Sequence, residues 1–217
     1  MERKFESKTK LAVAAAIIAV MGIGGAFAYF TDTDQAVNSF TVGKVQIELQ
    51  EPSWNADNPP KNITPNQVIE KDPQIKNTGK NNAFMFVEVQ VPYGNISTAD
   101  AEGHIGSKAD TELFTYTLNR GWVEVGTPVK NSDSNTFTHV YAYSENNKMT
   151  EVLPNTVTGT VFDEVKFVNA VNDEGLEETT QNINVTAYGI QVTDIGDGTT
   201  NKTSPADVWA VIKNQFA

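Results

Sequence analysis

Hydrophobic and polar residues alternate most regularly in the stretch NNAFMFVEVQVP, residues 81–92. Successive side chains of a β-strand point to opposite faces, so this alternation predicts a strand with one wholly apolar face. Phe84 and Phe86 fall on the opposite face beside polar residues, which predicts that this second face is also partly covered. The residues on the apolar face are Ala83, Met85, Val87, Val89 and Val91.

Further stretches alternate in the same way and are separated by turn residues rather than by helical periodicity. A run from Phe40 to Leu49 is one of them. Strands in succession, with no helix between them, indicate an antiparallel sandwich or jelly roll. Residues 51–67, 94–110 and 169–182 are rich in Pro, Asn, Gly or acidic residues and are predicted to be connections. The other strand candidates are LFTYTL (113–118), GWVEV (121–125), TFTHVYAYS (136–144), TVTGTVFDEVKFV (156–168) and INVTAYGIQVT (183–193).

The stretch SPADVWAVIKNQF, residues 204–216, has the signals of a helix start followed by a helical period. Ser204 is predicted to be the N-cap, Pro205 the first helical residue and Asp207 the acidic partner of a capping box. The apolar residues on one helix face are Val208, Ile212 and Phe216. The patterns together predict an all-β fold, an antiparallel jelly-roll β-sandwich with a short C-terminal α-helix.

The N-terminal stretch combines a basic segment, MERKFESKTK, with an apolar one, LAVAAAIIAVMGIGG. Ala26 and Ala28 then give the small-x-small pattern that a signal peptidase recognises, because its pocket admits only small side chains. Residues 1–28 are therefore predicted to be a signal peptide. The alternative is a retained membrane anchor, since residues 11–30 are uncharged and about long enough to span a bilayer. The glycines and the cleavage pattern favour removal.

The charge balance is acidic, with 16 Lys and Arg against 27 Asp and Glu and a net charge of −11. Removing residues 1–28 takes away four basic and two acidic residues and leaves a net charge of −13. Such a surface repels phosphate backbones, so no nucleic-acid partner is expected. The chain has no cysteine, which excludes disulfides and thiolate chemistry and is compatible with export from a Gram-positive bacterium.

Few residues point to catalysis. A catalytic zinc needs three protein ligands and an open position for water. The chain has two histidines, His104 in a predicted loop and His139 in a predicted strand, so a zinc site would need an unusual two-histidine arrangement completed by carboxylates. No serine lies in a G-x-S-x-G elbow. The acidic stretch 169–182 lacks the oxygen spacing of an EF-hand loop, which leaves calcium as a minor alternative. No catalytic residue, metal or cofactor is predicted.

The residues that follow the apolar segment form a recognisable set. In AFAYFTDTDQAVNSFTVGKVQIEL, residues 26–49, the cleavage site is followed by Tyr29-Phe30-Thr31-Asp32 and then by a second group of positions: Asn38, Phe40, Gly43 and Val45. With these residues the chain resembles the TasA/CalY (camelysin) family, whose signal peptide is SipW-dependent. The resemblance covers nearly the whole chain. Later matching stretches are ITPNQVIEKDPQIKNTGKNNAFMFVEV (63–89), LPNTVTGTVFDEVKFVN (153–169) and INVTAYGIQVTD (183–194).

The resemblance implies a secreted fibre subunit in the extracellular matrix or biofilm of a Gram-positive bacterium. A dedicated signal peptidase would release residues 29–38, which would add a strand to the sheet of the next copy by donor-strand complementation and so build a homopolymer. Residues 39–217 would form the sandwich domain. The implied protein contacts the membrane only before cleavage, and a second matrix or anchor protein is a further implied partner. The residues of the assembly strand would be Tyr29, Phe30, Thr31, Asp32, Val37 and Phe40.

Three alternatives stay open. Camelysin-like proteins are also classed as metalloendopeptidases, but this chain offers no zinc motif that can be carried over residue by residue. The resemblance therefore favours a structural role over an enzymatic one. A secreted surface module that does not polymerise is another alternative. Finally, the segment from Tyr29 to Phe40 would be, in the simplest reading, the first edge strand of its own domain.

Overall fold

The structure, a computed structural model, describes residues 44–195 and 202–216. Every strand pair in these residues is antiparallel, and one helix follows the last strand, so the predicted all-β fold with a C-terminal helix is confirmed. The elements are β1 (Ile47–Gln50), β2 (Val68–Glu70), β3 (Gln74–Asn77), β4 (Ala83–Ile96), β5 (Ala109–Glu112), β6 (Phe114–Thr115), β7 (Trp122–Glu124), β8 (Val129–Asn131), β9 (Thr136–Glu145), β10 (Lys148–Met149), β11 (Glu164–Phe167), β12 (Asn184–Gln191) and α1 (Pro205–Phe216).

The central sheet is built around β4, the strand that the alternating stretch predicted. Its order is β10-β9-β4-β12, with β5 paired to β4 and with β7 and β8 paired to β9. In this register Val87 lies opposite Tyr141 on one side and Ala187 on the other. β9 and β12 therefore occupy opposite flanks of β4.

A second layer packs against one face of this sheet. It consists of a three-stranded sheet with the order β2-β11-β6 and of the pair β1-β3. The two parts are joined because β3 follows β2 in the chain and contacts residues that precede β11. There the amide of Ile75 donates to Thr158 Oγ1 at 3.0 Å, and the amide of Thr158 donates to the Ile75 carbonyl at 2.9 Å.

The core between the layers contains the predicted apolar face of β4. Met85, Val87, Val89 and Val91 are fully buried there. Phe114, Val165 and Phe167 come from the second layer and belong to the same cluster. This packing confirms the face assignment, because a one-residue slip in register would have turned every one of these side chains outward.

The opposite face of β4 is covered by α1, as its aromatic residues predicted. The rings of Phe86 and Trp209 lie 5.4 Å apart between centroids, and Val208 and Ile212 are buried beside them. Asp207 N lies 3.3 Å from Ser204 Oγ, which confirms the predicted N-cap. The side chain of Phe216 lies outside the described part. Within that part, no helix is long and apolar enough to cross a membrane.

Short and polar strands depart from the sequence prediction. β4 continues to Ile96 and β5 begins at Ala109, inside the stretch 94–110 that was predicted to be a connection. β5 has the sequence ADTE, with no apolar alternation, and it pairs with β4 through backbone groups. The candidates 113–118 and 156–168 are strands only over Phe114–Thr115 and Glu164–Phe167. Backbone pairing, rather than a buried side-chain face, defines β5, whereas β6 and β11 keep buried side chains over fewer residues than the sequence pattern predicted.

Candidate functional site

The residues predicted for cleavage and assembly lie outside the described residues. The roles in cleavage and assembly therefore stay predictions. The predicted residues are Ala26, Ala28, Tyr29, Phe30, Thr31, Asp32, Val37 and Phe40.

A cleft of about 910 Å³ opens on the second layer. Parts of two connections line it, the Pro/Asn-rich stretch 51–65 and residues 170–183, which lead into β12. Its apolar lining is continuous with the main core and comes largely from the second layer: Ile69, Phe114, Val165 and Phe167. The cleft is thus a part of the sandwich interior that remains accessible at the margin of the layers.

β2 carries an open backbone edge beside this cleft. The amide of Lys71 donates to the Asp163 carbonyl at 3.1 Å, and the amide of Phe167 donates to the Gln67 carbonyl at 2.9 Å, so residues 67 and 71 turn their backbone groups toward β11. The direction of backbone groups alternates along a strand, which turns those of Val68 and Glu70 the other way. Within residues 44–195 and 202–216, no strand pairs with β2 on that side.

Lys71 fastens the Pro/Asn-rich wall of the cleft to the strand that lines it. Its Nζ lies 2.7 Å from Glu51 Oε1 and 5.0 Å from the centroid of the Trp54 ring. The side chain of Lys71 is buried, which strengthens the pair relative to an exposed one. The amide of Ser53 also donates to Asp72 Oδ1 at 2.9 Å. Residues 51–54 are therefore held near β2 by side-chain contacts.

The first described residue lies away from the cleft. The amide of Lys80 donates to the Lys44 carbonyl at 3.1 Å in the segment just ahead of β1, whereas Glu51 follows the end of β1 and lines the cleft. An extended chain advances about 3.3 Å per residue, so roughly 23 Å separate Lys44 from Glu51 along this strand.

A second group of functional side chains lies on the other flank of the central sheet. His139 on β9 is held between two carboxylates: Nε2 lies 2.8 Å from Glu112 Oε1, and Nδ1 lies 2.8 Å from Glu124 Oε1. The two glutamates end β5 and β7. We call Glu112, His139 and Glu124 the His139 clamp. Tyr141 stacks on the His139 ring with centroids 5.9 Å apart, and its hydroxyl is 2.8 Å from that of Tyr116.

Electrostatics favour the protonated form of this histidine. Burial opposes it, but hydrogen bonds to Glu112 and Glu124 together outweigh burial and raise the pKa of His139 above its ordinary value. Burial is also the largest influence on the two phenols, and it raises the pKa of Tyr116 and of Tyr141, which keeps both neutral. The clamp therefore joins one cation to two anions next to neutral aromatic groups.

The described residues form an antiparallel β-sheet protein with an open cleft, and the comparison with known families agrees with the resemblance found in the sequence. The profile described as camelysin metallo-endopeptidase matches residues 4–107, which supports the resemblance to the camelysin family. No curated protein and no solved structure gives a match.

The word metallo-endopeptidase in the family description implies a bound metal ion. The geometry of the His139 clamp does not fit a metal site. A metal-binding histidine uses one unprotonated ring nitrogen as ligand and donates from the other. Here each ring nitrogen of His139 faces a carboxylate, and the two carboxylates lie at different nitrogens. Glu112 and Glu124 therefore cannot converge with His139 on one ion without rearrangement.

The other histidine belongs to a loop cluster that also does not fit a catalytic zinc. Possible ligand atoms of Asp100, Glu102 and His104 lie within 4.8 Å of one another, and all three residues are exposed. Asp100 already accepts from the His104 amide at 2.8 Å and lies 3.0 Å from the His104 ring nitrogen. These residues do not line the cleft.

Sequence reasoning singled out His139 but missed its partners. Glu112 lies 27 positions away and Glu124 lies 15 positions away, and each is the last residue of a short strand. No periodic pattern connects such residues. The detectable signal was the single histidine within the alternating stretch 136–144.

Proposed function

We propose that this protein is a structural, non-enzymatic subunit of extracellular fibres. In this proposal a dedicated signal peptidase releases the segment of residues 29–38, which pairs with β2 of another copy and fills its cleft with inward-facing side chains. The product would be a secreted homopolymer in the matrix or at the surface of a Gram-positive bacterium. A second matrix or anchor protein is a further proposed partner.

The observation that carries this proposal is the open edge of β2 beside a cleft whose apolar part is continuous with the core. An added strand gains main-chain hydrogen bonds from Val68 and Glu70. Its alternate side chains would point between the layers, toward Ile69 and Phe167. Exposed strand edges are otherwise hazards that proteins cover.

The segment 29–38 suits this role because it combines aromatic residues with polar ones. Tyr29 and Phe30 occupy successive positions, so one of them points inward in either register. In the register that turns Tyr29 inward, Asp32 and Asp34 point to the solvated side of the added strand, together with Phe30. Before cleavage the preceding apolar stretch is still attached, which supports cleavage as the step that starts assembly.

A second copy is the proposed source of the strand, as the family resemblance of residues 26–49 implies. A contact between the N-terminal segment of one copy and the cleft of the next is heterologous. Such a contact does not close on itself, so it generates a filament.

Disulfide trapping tests the pairing directly, since the chain has no cysteine of its own. Glu70→Cys is placed in one preparation, and Tyr29→Cys, Phe30→Cys, Thr31→Cys or Asp32→Cys in another of different isotopic mass. Cross-strand neighbours have Cβ atoms about 4.5–5.5 Å apart, close to disulfide geometry. Oxidation of the mixed preparations should link two copies at alternate donor positions.

The matched acceptor control is Lys213→Cys on the exposed side of α1, which should give no such pattern. A chain that carries both cysteines should link to other copies, and this linkage should fall as cysteine-free protein is added, because neighbouring copies then lack the partner thiol. Linkage confined to single chains would instead identify residues 29–38 as the domain's own edge strand and overturn the proposal.

A further inference from the structure

The His139 clamp takes no part in the proposed fibre assembly. It lies on β9, whereas the cleft wall leads into β12, and these strands pair with opposite sides of β4. Glu112 comes from β5, which pairs with β4, and Glu124 comes from β7, which pairs with β9. The clamp thus joins three strands through side chains, in addition to their backbone pairing.

Both contacts of the ring require a proton. A neutral imidazole has one N–H donor and one lone pair, whereas an imidazolium has two donors. With carboxylate oxygens 2.8 Å from Nδ1 and from Nε2, the neutral ring would direct a lone pair at one of the anions. Loss of the proton therefore removes one contact and leaves a repulsive one in its place.

The two glutamates are the charged partners of the His139 ring, and the other groups around it are neutral or paired elsewhere. Tyr116 and Tyr141 present neutral hydroxyls, and Val89 of β4 lies opposite His139. Further along β5 and β8, Asp110 and Lys130 form an ion pair with each other. The side chain of His139 is only 12% exposed, whereas those of Glu112 and Glu124 are 27% and 38% exposed.

We propose that the His139 clamp stabilises the sandwich in a proton-dependent way: the imidazolium holds the ends of β5 and β7 to β9, and loss of the ring proton breaks one of the two contacts. The site binds a proton, and its proposed role does not involve the cleft. The fibre proposal can fail without affecting it.

The sign of the pH dependence follows from the raised pKa of His139. A group whose pKa is higher in the folded than in the unfolded chain stabilises the fold when it is protonated. The contribution is therefore complete below about pH 6.5, the ordinary histidine value. It declines as the pH rises through the higher value of the folded protein.

The test combines nitrogen NMR of His139 with the pH dependence of the melting temperature. In the intact protein, the ring nitrogen shifts should report an imidazolium that persists above about pH 6.5. Glu112→Gln and Glu124→Gln should each lower the titration midpoint, because each removes one anion. His139→Gln should reduce the melting temperature more at pH 5.5 than at pH 9, since only the protonated form makes both contacts.

The matched control is His104→Gln, because His104 is the other histidine and its side chain is 80% exposed beside Asp100. This variant should keep the wild-type dependence of melting temperature on pH. If His139→Gln does not fold, Glu112→Gln and Glu124→Gln still test the proposal through the midpoint of the His139 titration measured by NMR. A His139 titration midpoint at or below about pH 6.5 in the intact protein would overturn the proposal. A midpoint that neither Glu112→Gln nor Glu124→Gln changes would also overturn it.

Discussion

Phe86 and Trp209 pack against each other with ring centroids 5.4 Å apart, and this contact joins the outer face of the central sheet to α1. Tyr188 adds an edge-to-face contact to the same indole at 5.2 Å. β4 is consequently buried on both faces, by the second layer on one and by the helix on the other. The helix is therefore a structural part of the sandwich.

Trp209→Ala should destabilise the protein by about 3–5 kcal/mol, because it removes a large buried side chain and leaves a cavity above Phe86. Denaturant unfolding measures this loss. Asn214→Ala on the exposed side of the same helix is the control and should change the free energy of unfolding by no more than about 0.5 kcal/mol. Equal effects of the two substitutions would show that α1 does not stabilise the sheet.

Gly79→Ala should also destabilise the fold, because a Cβ at this position would lie 2.5 Å from the Lys44 carbonyl oxygen and 2.8 Å from the Gln46 amide nitrogen. Both are backbone atoms, so β1 would have to move, at a cost of about 1–3 kcal/mol. Thermal unfolding provides the measurement. Gly159→Ala is the control, because a Cβ there meets nothing within 4 Å. A wild-type melting temperature for Gly79→Ala would contradict the described path of β1.

The limits of sequence prediction follow from the kind of contact involved. The two faces of β4 were predictable because one buried side-chain face repeats every second residue. β5 was not, because its polar residues ADTE pair through the backbone. The cleft and the His139 clamp depend on residues far apart in sequence, such as Glu112 and His139, and only the folded topology brings these together.

Processing of the precursor should yield a protein that begins at Tyr29 or within a residue or two of it, because Ala26 and Ala28 match the small-residue pockets of a signal peptidase. Intact-mass measurement of the secreted protein checks the new terminus. Ala28→Trp should block cleavage and keep the chain at the membrane, whereas Phe27→Leu should be cleaved normally because the middle position is not selected. Full-length precursor in the extracellular fraction would contradict this prediction.

Zinc removal should leave the melting temperature unchanged, since neither the His139 clamp nor the His104 loop fits a catalytic or folding-linked zinc site. Differential scanning fluorimetry with and without chelator measures the effect. The peptidase alternative would be supported by stoichiometric zinc in elemental analysis together with casein cleavage that His139→Ala abolishes and His104→Ala does not.

The central claim is that residues 29–38 join one copy to the next, and electron microscopy of the secreted protein over time tests it most directly. The protein that begins at Tyr29 should form filaments. A form lacking residues 29–38 should remain monomeric with near-normal β content, because it loses the intermolecular strand but keeps both core clusters. Adding those residues as a peptide should raise the melting temperature of the truncated form if its cleft is open. Filaments from the truncated form would contradict the account, and a truncated form that cannot fold would show that the segment belongs to its own sheet.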